Sequence, residues 1–317
     1  MFEKIKEFFK KIKQKLTPSE RTARLIDRYA CFVPPVIITV AFIVAMCGAK
    51  GYKPLHMTIM LLLLALSYAI PFFKRYNLKK TRAVVASVFT AVAPFGMFYF
   101  VELFMRDPFV KGSMKVMKPH IVLLNVMFYY LAVLLISAIT TRTDIGLTIA
   151  AIVPGALGIA NYFTMATRDL PVYPWDIISV KTALSVVDNY DIKFSSTFYF
   201  SVFCLLSIVV LSFPLVLRIK FKVKWLYFIP ATCSIVLFAT YISIINSIFI
   251  TEANASKNGF YPYLFSASYL YKFNGTPVSF IYTLKFLELS PPAGYNVDDI
   301  KSLYEEYVGK AIEDANE

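Results

Sequence analysis

Long apolar runs dominate the chain, separated by short polar stretches. Blocks near 29–48, 55–73, 83–105, 120–140, 145–165, 197–217 and 225–248 are each close to the length that crosses a bilayer core. Lipid supplies no hydrogen-bond partners, so such blocks satisfy their backbones as helices. The pattern predicts an all-α, polytopic transmembrane helix bundle of about seven spans. Pro34–Pro35, Pro94 with Gly96, and Pro154 with Gly155 are expected to bend the first, third and fifth helices.

The flanks have other patterns. Residues 1–28 place Phe2, Ile5, Phe9, Ile12 and Leu16 at helical spacing with lysines between them, which suits a basic amphipathic helix lying on an anionic leaflet. A solvated basic tail is the plainer alternative. Residues 249–290 are rich in aromatics, among them Phe260, Tyr261, Tyr263, Phe265, Tyr269, Tyr271 and Phe273. Rings of this kind collect between lipid and water, so one or two interfacial helices are expected on the outer surface, broken at Gly275–Pro277. Residues 291–317 read as a linker stiffened by Pro291 and Pro292, then a soluble acidic helix capped by Asn296.

Composition agrees with the pattern. Of 317 residues 58% are hydrophobic and only 17% charged, with a mean hydropathy of +0.61. The formal net charge of +13 does not point to nucleic acid, because the basic residues sit beside apolar blocks. Lys74, Arg75, Lys79, Lys80 and Arg82, and Arg218, Lys220, Lys222 and Lys224, mark two loops as cytoplasmic. With the basic N-tail they predict a cytoplasmic N-terminus and an external C-terminus. Arg106, Lys111, Lys115 and Lys118 fall on the other side, against the rule. Cys31, Cys47, Cys204 and Cys233 lie in or beside apolar blocks with no CxxC pair, and read as packing residues. Asn254-Ala-Ser256 and Asn274-Gly-Thr276 match the glycosylation pattern, a short pattern that carries little weight.

The longest polar interruption, the outer loop 166–196, carries the candidate chemistry. Arg168, Asp176, Lys181 and Asn189 stand there among Tyr173, Trp175 and Tyr190, with Pro171 and Pro174 fixing the backbone. Glu102 and Arg106 lie at the same membrane level at the end of the third span, with Asn125 in the fourth and Asn161 in the fifth. Polar groups inside a span are costly and face partners or water. Two readings stand side by side: a lipid-headgroup or substrate site, and a structural i,i+4 pair between Glu102 and Arg106. Neither a catalytic nucleophile nor a metal cluster is visible.

These residues resemble the membrane half of the lipoteichoic acid synthase family, phosphoglycerol transferases of the alkaline phosphatase-sulfatase superfamily. The resemblance rests on Asn161-Tyr162, Arg168, Pro171, Pro174, Asp176 and Asn189-Tyr190. Glu102, Arg106 and Asn125, and the stretch from Asn274 to Ile300, support it. It covers roughly residues 85–317. It implies a bacterial cell membrane, phosphatidylglycerol as lipid partner, and transfer of glycerol phosphate at the outer leaflet. It also implies an extracellular catalytic domain, in cis or in trans, with a nucleophilic threonine and a divalent metal such as manganese. Neither is expected in this chain, which then anchors the system and positions its lipid. The family usually has five spans, so seven suggest a variant. A small transporter or permease, or a non-catalytic membrane partner, are the other readings. No internal repeat supports a transporter.

Overall fold

The computed structural model describes residues 30–110, 114–177, 193–217, 226, 228–286, 300–305 and 307–308. Among these the fold is all helical. Seven main helices follow the predicted blocks: α1 (Val33–Gly48), α2 (Pro54–Arg75), α3 (Lys79–Val110), α4 (Pro119–Thr140), α5 (Thr143–Arg168), α6 (Ser196–Ser212) and α7 (Phe228–Ile248). Six of the seven are long and apolar enough to cross a membrane, α1 together with the 3-10 turn Ala30–Phe32 that leads into it (19 residues in all); α6, with 17 residues, falls below that length. Three short helices close the described core: α8 (Glu252–Lys257), α9 (Ala267–Asn274) and α10 (Thr276–Thr283). The chain is therefore a polytopic helical membrane protein. The basic tail 1–28 and the linker 291–299 lie outside the described residues, while residues 300–305 are helical as expected.

Helices α3, α5 and α6 form the centre. Helix α4 packs on α3 and α5, α7 on α4, and α1 and α2 on α6. Long rows of exposed Val, Leu, Ile and Phe on α1, α2 and α7 face outward, as a lipid-facing surface requires. Lipid gives no hydrophobic drive for helices to associate, so close backbone approach matters more. Helix α5 supplies it with Gly146, Ala150, Ala151, Gly155 and Gly158, all buried. A Cβ on Gly158 would lie 2.8 Å from Phe104 of α3, and one on Gly146 would lie 2.9 Å from the Val133 carbonyl of α4.

Prolines behave less simply than expected. Pro34 and Pro35 occupy the first turn of α1, where a missing N–H leaves no gap in the hydrogen-bond ladder. Pro94 and Pro154 lie within α3 and α5, which run on through them. Cys204 is buried in the core and Cys47 and Cys233 are exposed, all three free.

The largest departure is the aromatic segment. Instead of resting on a surface, α9 and α10 form a tight hairpin packed into α3, α4 and α7. Leu270, Tyr271, Asn274, Val278 and Ser279 are fully buried, while Phe265 and Tyr269 on the outer side remain exposed. Asn274, in the second glycosylation match, is therefore a core residue.

Candidate functional site

The site end of the bundle gathers the C-termini of α3 and α5, the N-termini of α4 and α6, and the α9–α10 hairpin. It is built from α3 upward. Helical spacing puts Glu102 and Arg106 on one face, and Arg106 Nε donates to Glu102 Oε2 at 2.9 Å. Both side chains are fully buried. A buried ion pair survives only when its other polar atoms also find partners. Here they do. Arg106 Nη2 donates to the Lys272 carbonyl at 2.7 Å, in the last turn of α9. Glu102 Oε1 accepts from the Thr276 amide at 2.5 Å, the first residue of α10. The cation thus meets the carbonyl end of one helix and the carboxylate the amide end of the next, as the helix dipoles favour.

Asn125 of α4 repeats the device. Its Nδ2 donates to the Asn274 carbonyl at 2.7 Å, and its Oδ1 accepts from the Val278 amide at 3.2 Å. Between the two short helices Gly275 reverses the chain at φ 80°, and a Cβ there would lie 2.6 Å from Asn125 Nδ2. Only glycine satisfies both the backbone and the space. Asn274 closes the hairpin's mouth: its amide donates to the Tyr261 carbonyl at 2.6 Å and accepts from the Tyr261 amide at 2.8 Å.

Asn161 and the loop after α5 make the second half. Asn161 Oδ1 accepts from the Val172 amide at 2.7 Å, and Tyr271 Oη donates to the Val172 carbonyl at 3.0 Å. Tyr271 therefore links the loop to the hairpin held by Arg106. The loop leaves α5 through Asp169 in the left-handed region at φ 54°, and Ser268 Oγ donates to its carbonyl. Asp176 Oδ2 then accepts from the Tyr173 amide at 2.9 Å and from Arg168 Nη2 at 3.3 Å. Tyr173 stacks on Trp175, with ring centroids 4.2 Å apart. Burial, and after it the Asp176 carboxylate, raises the Tyr173 phenol above its usual pKa. On the other side, Ser195 caps α6 by accepting from the Phe198 amide and donates its hydroxyl to Asp107 of α3.

The predicted site residues thus divide. Glu102, Arg106, Asn125 and Asn161 come together as a buried network bonded mainly to backbone, as the pairing alternative for Glu102 and Arg106 anticipates. Arg168 and Asp176 are joined in the loop and stay open, their side chains 49% and 26% exposed. Lys181 and Asn189 lie outside the described residues. Sequence reasoning missed Tyr271, Gly275 and Ser195. A Gly between two short apolar runs and a Ser before a helical run were the available signals for the last two. No group of three or more metal-ligand side chains occurs among the described residues. No family model, curated protein or solved structure matches the chain.

Proposed function

We propose that this chain is the membrane-anchoring and lipid-positioning part of a phosphoglycerol transferase system of the lipoteichoic acid synthase type. In this reading the site end faces the outer leaflet, the basic loops at 74–82 and 218–224 face the cytoplasm, and the catalytic domain with its metal is supplied in cis or in trans. The resemblance in the loop motif motivates the family. The observation that carries the site is the Arg168–Asp176 pair. Arg168 is half exposed, yet its guanidinium is steadied by a carboxylate that is itself fixed to the Tyr173 amide. The start of that loop is tied to the buried network at Val172, which bonds Asn161 and Tyr271, so the cation needs little ordering to meet a ligand. A guanidinium so placed at the headgroup level suits bidentate contact with the phosphate of an anionic lipid such as phosphatidylglycerol. The exposed Phe265 and Tyr269 suit an interface between lipid and water.

The test is the retention of phosphatidylglycerol by the purified protein in native mass spectrometry, beside a melting curve. Arg168→Ala removes one charged hydrogen bond and should weaken retention about ten-fold or more, with the melting temperature little changed. Unchanged retention with lowered stability would assign Arg168 to loop architecture alone.

A further inference from the structure

The opposite end of the bundle holds a second feature that this reading does not use. There α6 stops at Ser212 after 17 residues, about 25 Å of helix, whereas a bilayer core is about 30 Å thick. Residues of α1, α2 and α3 face this end of α6, and the turn through Phe213 and Pro214 adds to the same lining. The result is a groove of about 590 Å³ between four elements. Its walls are apolar, including Val33, Ile37, Ile70, Val210 and Phe213, and its rim carries Lys74 and Arg82.

Arg82 is not a loose surface cation. Its Nε and Nη2 both donate to the Pro214 carbonyl, at 3.1 and 2.6 Å, which fixes the guanidinium plane over the groove's edge. No hydrogen bond within the described residues uses Nη1. The carbonyl end of α6 opposes an anion, but Arg82 sits on that carbonyl and offsets it. Arg82 is also in the first turn of α3, where the helix dipole favours negative charge. Arg75, Lys79 and Lys80 stand exposed in the adjoining sequence.

We infer that this groove is a binding site for an anionic phospholipid of the leaflet opposite the Arg168 loop. An acyl chain fills the apolar recess beside α1 and α6, and the phosphate sits against Arg82. Basic pockets between spanning helices recognise anionic headgroups in this manner. Charge complementarity selects the lipid, since a zwitterionic headgroup gains less beside Arg82 and the exposed Arg75, Lys79 and Lys80.

The full chain, purified and exchanged into mixed phosphatidylglycerol and phosphatidylcholine micelles, gives the test by native mass spectrometry. Arg82→Gln should lower phosphatidylglycerol retention at one site about ten-fold. Arg82→Lys, which keeps the charge but not the fork, should fall between. Ile37→Trp fills the groove with Arg82 intact and should lower retention as well, so the result does not depend on how Arg82→Gln folds. Arg168→Ala separates the two sites. The wild type should retain two phosphatidylglycerol molecules, Arg82→Gln, Ile37→Trp and Arg168→Ala one each, and Arg82→Gln/Arg168→Ala none. Retention unchanged within two-fold in both Arg82→Gln and Ile37→Trp, or phosphatidylcholine held as well as phosphatidylglycerol, would overturn the site whatever Arg168→Ala does.

Discussion

Removing the Arg106 side chain tests the clamp most severely. Arg106→Leu keeps an apolar helix and similar bulk, but it leaves the Glu102 carboxyl fully buried and without its partner 2.9 Å away. The Lys272 carbonyl loses its 2.7 Å donor as well. Each hydrogen bond to a charged group is worth about 1.5–3 kcal/mol, and breaking a buried pair from one side costs about 3–5 kcal/mol. A loss of about 4 kcal/mol is expected in unfolding titrations of the purified protein. Glu102→Leu/Arg106→Leu removes the stranded carboxyl and should recover part of that loss, although the Thr276 amide and the Lys272 carbonyl lose these side-chain partners. The two single losses should therefore exceed the double loss by at least about 1 kcal/mol, as coupled neighbours do. The same variants should release the hairpin, seen as faster proteolysis after Lys272 or Lys285. A single-variant loss below about 0.5 kcal/mol, or strict additivity, would refute the clamp.

Two further outcomes follow from particular residues. Gly275→Ala meets both a positive φ and the Asn125 side chain, so it should destabilise by about 1–3 kcal/mol, and Asn125→Ala in the same chain should relieve part of that, read by the same titration. Cysteines placed at Lys79 and Phe265, at opposite ends of the bundle, should label differently with a membrane-impermeant thiol reagent in intact cells: position 265 modified and position 79 protected. The reverse pattern would invert the proposed orientation.

Hydropathy made the spans legible because lipid imposes a length and forbids alternatives to helix. All seven blocks became helices, and α6, too short by itself to count as a span, lies at the centre with α3 and α5. The residues Glu102, Arg106, Asn125 and Asn161 were also legible, since a polar group in an apolar run is conspicuous. Their partners were not. Glu102 binds the amide of a residue 174 positions away, and Asn125 binds one 153 positions away. Backbone partners leave no mark in a sequence, so the network reads there as side chains awaiting a ligand. The same blindness put the aromatic segment on the surface: Tyr271 and Phe265 look alike in sequence, but one is fully buried and the other 88% exposed. Pro34–Pro35 read as a bend because nothing before them showed where α1 begins.

The central claim is that Arg168 holds the phosphate of an anionic lipid. Solid-state NMR on the full chain in phosphatidylglycerol bilayers, with guanidinium nitrogens labelled, measures it directly as phosphorus–nitrogen dipolar dephasing. The account predicts a dephased signal assigned to Arg168 that is lost in Arg168→Lys, where any dephasing at Arg82 remains, and that persists in Arg82→Gln. A dephasing pattern identical in wild type and Arg168→Lys would contradict it.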